Sequence, residues 1–264
     1  IKAATFNAAQ YFRMHDRGAI APGWLADLVV VDNFENFCVE AIYKRGILAA
    51  ENQMACSFHI PSIDVRLTER ALCTFQPIRL RPEDFKPGEL HHVIGMINGE
   101  ITTVDAGCAR APDTTQDILW AAVVERHRGT GHIGIGLLHG YGLKSGAVAT
   151  SISHDSHNVI VVGACAEDCS AAANRVADLN GGIVVWNQGE SAAEVPLPIA
   201  GIMSDHPLET VNSQLEAAKK AAYALGVNPE IDPFMTLSFM ALPVIPTLRL
   251  TTQGVFDVTK QRYL

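Results

Sequence analysis

Residues 158–187 constrain the fold of this chain more than any other segment. An apolar run at residues 158–163 precedes apolar and small side chains at helical spacing in residues 167–179, and a second apolar run follows at residues 183–187. The intervening Asn-Gly-Gly sequence, residues 180–182, is typical of a helix end. Strand, helix and strand within about thirty residues indicate a crossover unit with a parallel strand pair. The sequence therefore predicts a mixed α/β (α+β) domain.

A β-hairpin is the next clear signal. Residues 90–97 predict a strand, the Asn-Gly pair at 98–99 a two-residue turn, and residues 101–104 the return strand. Further along, residues 118–126 predict a strand or a short helix, and residues 146–153 predict another strand. These segments belong to the same mixed α/β domain.

The C-terminal region predicts one helix and one extended segment. Residues 207–225 have helical spacing, with Pro207 in the first turn and Gly226 after the last. Asp205 precedes this helix and is expected to cap it. The tail at 233–246 is apolar and interrupted by prolines, so we expect a packed extended segment rather than a helix.

The first 55 residues show a different pattern, with one short helix and several short strands. Thr5 is expected to cap a helix over residues 7–14. Such a short segment cannot close a core alone, so its strands need a partner sheet. Prolines become frequent beyond it, and we divide the chain into domains 1–55 and 56–264. The predicted strands of the first domain are residues 19–21, 28–31, 39–43 and 47–50.

Composition narrows the class of partner. With 48% hydrophobic and 18% charged residues the chain is globular. Its 20 basic and 28 acidic residues give a net charge of −8, which argues against nucleic acid and anionic membranes as partners. No apolar run approaches the roughly 18 residues that span a bilayer. Six cysteines without a Cys-x-x-Cys pair favour a reducing cytoplasm.

The densest polar group is the run Ser-His-Asp-Ser-His-Asn at residues 153–158, set between two predicted apolar strands. His154, Asp155 and His157 offer two imidazoles and a carboxylate at strand ends, where acid/base and ligand-binding groups commonly lie. Two histidines and one carboxylate are an incomplete metal site. A polar turn that satisfies its own backbone is the alternative, and both interpretations stay open at this point.

Other candidate motifs carry less chemistry. The segment 129–146 contains seven glycines, but its spacing matches neither common phosphate-binding fingerprint, which favours close packing or a lid. His91 and His92 are neighbours in a predicted strand, so their rings face opposite sides and cannot share one metal ion. Cys165 and Cys169 lie at a helix start without a catalytic partner, and we interpret them as structural.

Two stretches near the N-terminus resemble a known superfamily. Residues 17–32, RGAIAPGWLADLVVVD, preceded by TFNAA at 5–9, are similar to the end of an amidohydrolase-superfamily enzyme. There the last helix of the metal-dependent barrel is followed by the return of the chain to a small β-sandwich. The resemblance implies that residues 1–55 are the last barrel helix and β-sandwich strands of such an enzyme.

Four further stretches narrow the resemblance. They are similar to the C-terminal domain of the bacterial-type adenine deaminase family, which implies the same origin for residues 56–264. The family's Thr-Asp after the final strand is replaced here by Thr251-Thr252, which argues against a carboxylate role at that point. The four stretches are GHIG at 131–134, SHDSHN at 153–158, PLPIAG at 196–201 and PFMTLSFMALPVIP at 233–246.

The resemblance implies hydrolytic deamination of adenine to hypoxanthine and ammonia, a step in purine salvage and adenine catabolism. The reaction would use a hydroxide activated between two divalent metals, manganese or iron. The family's His-x-His metal motif does not occur in this sequence. We therefore expect the metal ligands in an N-terminal barrel part of the same enzyme, no metal ligand here, and an inactive segment when residues 1–264 stand alone.

The resemblance also gives the polar run a role. We expect His154, Asp155 and His157 to act in catalysis, as a loop over the barrel mouth, and Asn158 and His132 to bind substrate. Two alternatives stay open. The second domain could instead be an assembly module that builds a homo-oligomer through its acidic surface and the tail at 233–246. It could also be a self-sufficient hydrolase that holds a single metal in the loop at 154–157.

Overall fold

A computed structural model describes residues 1–57, 61–76 and 79–264 of the chain. These residues form two compact units, Ile1–Ile63 and Asp64–Leu264. The domain boundary predicted between residues 55 and 56 lies within the first unit. Secondary structure is mixed α and β in several sheets, which confirms the predicted fold class. No helix in the described ranges is both long and apolar enough to cross a bilayer.

The first unit contains one short α-helix and one antiparallel sheet. A 3-10 turn at Lys2–Ala4 leads into α1 (Phe6–Tyr11). The four strands follow in sequence order, each paired with the next. They are β1 (Leu28–Val31), β2 (Val39–Lys44), β3 (Ile47–Glu51) and β4 (Met54–Ala55).

Three details of the first unit differ from the sequence-based predictions. Residues 19–21 are not a strand, because a three-residue apolar run next to a Pro-Gly turn has no partner to pair with in the described sheet. The helix ends at Tyr11 rather than residue 14. Thr5 stands at the N-cap, but its hydroxyl donates to the Ile1 carbonyl at 3.0 Å instead of accepting an amide of the first turn.

The second unit is built on an eight-stranded sheet with strand order β12-β11-β9-β10-β7-β8-β5-β6. Neighbouring strands are antiparallel except for β5 and β8, which are parallel. The segment at 118–126, left open between strand and helix, is therefore a strand. The strands are β5 (His91–Met96), β6 (Thr103–Ala109), β7 (Ile118–Val124), β8 (Ile133–His139), β9 (Ala147–Thr150), β10 (Val159–Gly163), β11 (Gly182–Asn187) and β12 (Glu190–Pro196).

The predicted strand-helix-strand unit is present, but its parallel pair is wrong. Strand β10 continues into α3 (Ala166–Asp178) and then into β11, as the pattern indicated. Strand β9 lies between β10 and β11 and pairs antiparallel with both. The two outer strands run in the same direction without bonding to each other, since β9 takes the hydrogen-bonding edge of each.

The hairpin between β5 and β6 is also confirmed, with a longer connection than predicted. Met96 pairs with Thr103, so six residues rather than two connect the strands. The Glu100 amide donates to the Ile97 carbonyl at 3.1 Å, which closes the turn at 98–99. The Thr103 amide then donates to the Pro246 carbonyl at 3.0 Å, so the return strand begins where this second contact holds it.

Four more helices and a small sheet complete the second unit. The predicted cap role of Asp205 is wrong, because α4 is preceded by Pro207 and has no side-chain cap. The helices are α2 (Val65–Leu72), the 3-10 helix Pro82–Phe85, α4 (Leu208–Ala224) and α5 (Pro233–Met240), and the small sheet is β13 (Leu248–Thr251), β14 (Gly254–Asp257) and β15 (Arg262–Tyr263).

The tail predicted to be extended folds instead as helix α5 followed by a turn. The Asp232 carboxylate accepts the amides of Phe234 and Met235 at 3.0 and 2.9 Å, which caps the helix. Pro233 stands in the first turn, where its missing N–H breaks no helical hydrogen bond. Most of its apolar residues pack into the core although Met235 is 54% exposed, and the helix lacks the one-sided pattern of a surface helix.

Two apolar layers cover the two faces of the large sheet. Along β7, Leu119 and Val123 join the layer that contains α4 and α5, whereas Trp120 and Val124 join the layer that contains α3. This alternation is the period of two expected of a strand buried on both faces. The central strands are therefore buried on both faces, and the loops at their ends are anchored on them.

Candidate functional site

The polar run at 153–158 forms the connection from β9 to β10, and we call it the His loop. Its backbone turns back on itself: the His157 amide donates to the Ser153 carbonyl at 2.6 Å, and the Ser156 amide donates to the His154 carbonyl at 2.8 Å. Asp155 and His157 both have positive φ, at 62° and 47°. Two buried strands thus hold a tight, strained turn that carries both imidazoles.

His154 is the most clearly presented of the predicted catalytic groups. Its side chain is 44% exposed, and its Nδ1 lies 3.1 Å from the Asp155 Oδ1. Its ring stacks on Phe239 of α5, with 5.0 Å between centroids. The His154 amide also donates to the Ser238 carbonyl at 3.1 Å. A proton on Nδ1, donated to Asp155, leaves Nε2 as an acceptor, the arrangement that suits acid/base work.

His157 faces inward and differs from His154 in its electrostatics. Burial lowers the pKa of His157, and the nearby positive charge of Arg126 lowers it further, so the ring is neutral at pH 7. Its Nδ1 is buried and makes no hydrogen bond to the residues that the structure describes. The two histidines of the loop therefore have different environments.

The two predicted substrate-binding residues lie in different surroundings. The Asn158 side-chain oxygen accepts the Arg126 amide at 3.4 Å, so this side chain braces the loop. His132 is exposed at the start of β8, and its carbonyl accepts the Glu125 amide at 3.1 Å. Within the described ranges, no hydrogen bond connects the His132 side chain to the His loop.

Arg126 is the main residue that the sequence did not single out. It lies two residues after the end of β7, is 3% exposed, and donates from Nε to the His157 carbonyl. Its Nη2 donates to the Ala200 carbonyl at 3.0 Å, and its Cζ lies 4.5 Å from the Phe75 ring centroid. The one sequence signal is a charged pair directly after seven apolar residues, and this pattern is equally typical of a strand that ends at the surface.

Glu125, next to Arg126, is held ionised by its surroundings. Burial tends to raise the pKa of Glu125, but main-chain amides that donate to the carboxylate outweigh it and lower the pKa to about 2. Its charge therefore stands close to the buried guanidinium without forming an ion pair in the described residues. The donors are the amides of His127 at 2.6 Å, Arg128 at 2.9 Å and Thr130 at 3.0 Å.

The Pro-Leu-Pro-Ile-Ala-Gly segment at 196–201 reaches the same junction. Ala200 and Gly201 have positive φ, at 56° and 74°. The Ser151 hydroxyl donates to the Gly201 carbonyl at 2.6 Å and accepts the Gly182 amide at 2.8 Å. Stretches that lie far apart in the sequence thus meet around Arg126, and two of them carried the resemblance noted above.

A divalent metal does not fit the residues of this junction. Among the described residues, no group of three or more His, Cys, Asp or Glu side chains is placed to hold a metal ion.

The neighbouring histidines of β5 have different surroundings. His91 contacts the Trp120 ring at 4.9 Å between centroids, whereas the Nδ1 of His92 lies 3.6 Å from the Cys108 Sγ. The two rings have different neighbours, and no shared ligand set forms there.

The cysteines at the start of α3 are unsuited to nucleophilic chemistry. Burial raises the pKa of Cys165 to about 11 and that of Cys169 well above its ordinary value. Both are free thiols that stay protonated at neutral pH. A structural role at the helix start accounts for them, and the Cys165 Sγ accepts the Asp168 amide there at 3.5 Å.

Comparison with known proteins finds two family matches in this chain. Residues 97–262 match the adenine deaminase C-terminal domain family, and residues 1–60 match the amidohydrolase family. The chain is 41% identical over 270 residues to "Adenine deaminase 2" of Carboxydothermus hydrogenoformans, and 41% identical over 266 residues to "Adenine deaminase" of Brucella anthropi. Each alignment covers 98% of this chain and 46% of the relative. The chain belongs to the adenine deaminase C-terminal domain family.

Proposed function

We propose that this chain is the C-terminal part of an adenine deaminase, which hydrolyses adenine to hypoxanthine and ammonia in purine salvage. The family match over residues 97–262, with 41% identity to proteins named adenine deaminase over 98% of the chain, carries this proposal. The chain spans 46% of the length of these relatives, so the complete activity belongs to a longer protein. A reducing cytoplasm suits its six free cysteines.

The His loop is the part of this chain that we assign to the active site. His154 and Asp155 form a hydrogen-bonded pair with an exposed imidazole face, suited to moving a proton or contacting a purine. His157, neutral beside Arg126, can donate or accept a hydrogen bond without charge. Asn158 acts by holding the loop, and the exposed His132 is the second substrate contact that we propose.

The metal and its ligands belong to another part of the same enzyme in this proposal. The described residues do not fit a metal site, whereas the amidohydrolase match over residues 1–60 points to a divalent-metal family. We propose manganese or iron as that metal. The strands of the first unit leave apolar side chains such as Val29 and Ile47 exposed. We propose that this apolar surface packs against the barrel part of the same enzyme.

Ammonia release from adenine tests the proposal directly. The protein expressed from the complete coding sequence is expected to release ammonia and to contain bound divalent metal. The 264-residue chain alone is expected to do neither, because the ligand set is absent from its described residues. Full activity with bound metal in the 264-residue chain would overturn this division and favour the self-sufficient hydrolase that uses the loop at 154–157.

The assembly-module alternative keeps only part of its predicted surface. Phe234, Leu237 and Met240 of α5 are buried within this unit, whereas Met235 and Val244 of the tail at 233–246 are 54% and 69% exposed. We keep a homo-oligomer as part of the proposal. Sizing the complete protein in solution tests this part, and a monomer at micromolar concentration would remove it.

A further inference from the structure

Arg126 combines deep burial with an unusual choice of partners. The residue is 3% exposed, and both hydrogen bonds of its guanidinium go to main-chain carbonyls, those of His157 and Ala200. Among the described residues, no carboxylate lies within ion-pair distance of it. A buried arginine usually pairs with an acid, because an unpaired charge in the interior is unfavourable. Its position therefore needs an explanation other than charge pairing.

The two carbonyls that Arg126 binds belong to residues with strained backbones. His157 has φ 47° and Ala200 has φ 56°, a region that residues with a side chain seldom adopt. Such conformations persist only where the surroundings determine them, and they cluster at functional sites. The rigid fork of the guanidinium donates to both turns from two separate nitrogen atoms, Nε and Nη2, a geometry that the single nitrogen of a lysine does not reproduce.

The absence of a side chain at Gly201 leaves space for the Arg126 guanidinium. A Cβ on Gly201 would lie 2.7 Å from the Arg126 Nη1 and 2.7 Å from the Phe75 ring, so only glycine leaves this space. Nη1 is buried and makes no hydrogen bond within the described ranges. Leaving a buried donor unsatisfied is unfavourable, and stability alone does not account for a residue that accepts this arrangement.

We propose that Arg126 is a positioning residue, whose guanidinium fixes the His loop and the turn at 199–201 in the arrangement that binds adenine. This inference rests on the proposed function, because it assumes that the His loop takes part in adenine binding. Arg126 itself touches neither substrate nor reacting atoms in this assignment. It acts through the carbonyl of His157, and so through the placement of the imidazoles.

Arg249 provides a matched control within the same unit. It is 0% exposed, donates from Nε to the Ile245 carbonyl at 2.7 Å and from Nη2 to the Ile101 carbonyl, and forms no hydrogen bond or ion pair with the His loop among the described residues. Burial lowers the pKa of both arginines to about 10. Replacing either arginine with lysine removes a buried guanidinium that donates to main-chain carbonyls. Only the guanidinium of Arg126 donates to the His loop.

Hydrogen exchange of the His loop is the first test, in the protein from the complete coding sequence. Arg126→Lys is expected to speed exchange of the His157 amide by at least about tenfold while the amides of β7 and β10 exchange as in the wild type. Arg249→Lys is expected to leave loop exchange unchanged. Arg126→Gln, which removes the buried charge, is the second variant if the lysine variant does not fold. Unchanged loop exchange in both Arg126 variants overturns the proposal.

Adenine kinetics are the second test. Arg126→Lys is expected to raise KM by about fivefold or more with kcat nearly unchanged, whereas a loss of folded enzyme lowers apparent kcat and leaves KM alone. Arg249→Lys is expected to keep the wild-type KM. An unchanged KM in Arg126→Lys, when His154→Ala lowers kcat/KM, overturns the positioning role. If His154→Ala alters no kinetic constant, the proposed function of the loop fails, and exchange alone decides the role of Arg126.

Discussion

The two compact units differ in how much apolar surface they bury. In the first unit Ala9 is the one described residue that is fully buried, and Val29 of β1 and Ile47 of β3 are 58% and 73% exposed. In the second unit the central strands are covered on both faces, and Val161 of β10 is 0% exposed. A sheet with two covered faces carries its own core, whereas a single uncovered sheet depends on something else to pack against it.

The same difference explains where the candidate site lies. The His loop connects two strands that are buried along their whole length, β9 and β10. The residues with positive φ at Asp155, His157 and Ala200 therefore lie in loops anchored on a buried sheet. The first unit also has residues with positive φ, such as Phe37 at 59° and Arg45 at 52°, but its strands leave apolar side chains exposed.

An aspartate placed in a strand is expected to have the largest effect, and its effect depends on whether that strand is buried or exposed. Val161→Asp is expected to abolish folding of the second unit, because an unpaired carboxylate in the core costs more than about 4 kcal/mol. Val29→Asp, the matched change in an exposed strand, is expected to alter the free energy of unfolding by less than about 0.5 kcal/mol. In the 264-residue chain, soluble yield and circular dichroism report whether Val161→Asp folds. Urea unfolding followed by circular dichroism measures the free energy of unfolding of Val29→Asp. A folded Val161→Asp variant would contradict the burial described here.

Glycines with positive φ give a milder test. Gly201 has φ 74° and is crowded by Arg126 and Phe75, whereas Gly23 of the first unit has φ 81° and, among the described residues, no atom within 4 Å of where a Cβ would lie. Gly201→Ala is expected to destabilise its unit by about 3 kcal/mol, from backbone strain and overpacking together. Gly23→Ala is expected to cost about 1 kcal/mol, from strain alone. Hydrogen exchange resolves the two units, and equal losses would contradict the crowding around Gly201.

The two units are also expected to differ in how much a hydrogen-bonded carboxylate contributes to the free energy of unfolding as the pH falls. The pKa of Glu125 is lowered to about 2, below the ordinary value of 4.5, so its stabilisation is complete above pH 4.5 and disappears as the pH falls toward 2. Glu125→Gln is expected to cost about 2 kcal/mol at pH 7 and little near pH 2, by urea unfolding.

The matched change in the first unit is Asp27→Asn. Asp27 accepts from the Lys44 side chain and the Arg45 amide, and these hydrogen bonds lower its pKa. Solvent reaches this pair, so at pH 7 the substitution is expected to cost less than Glu125→Gln. A larger pH-dependent loss for Asp27→Asn would reverse the comparison.

Local sequence pattern predicted most of the elements. Strands β1 to β3, the hairpin around residues 98–99, the succession β10-α3-β11 and helix α4 all follow from apolar spacing and turn residues. The His loop was recognisable because six polar residues interrupt two apolar runs. These features depend on neighbours in sequence, which a single chain shows directly.

The features that escaped prediction depend on distant contacts. Helix α5 has apolar residues on more than one side, so it has no one-sided period to detect, and the prolines of the tail at 233–246 suggested an extended chain. The insertion of β9 between β10 and β11 leaves no mark in their spacing. Arg126 is defined by Phe75, His157 and Ala200, which lie far from it in the sequence.

One comparison of kinetic constants tests whether the second unit contributes the His loop to adenine deamination, as we propose. In the protein from the complete coding sequence, His154→Ala is expected to lower kcat/KM for adenine by at least about tenfold. The control is His139→Ala, an exposed histidine at the end of β8 outside the junction, which is expected to keep wild-type kinetics. An unchanged kcat/KM in His154→Ala, with the protein folded, would contradict the account.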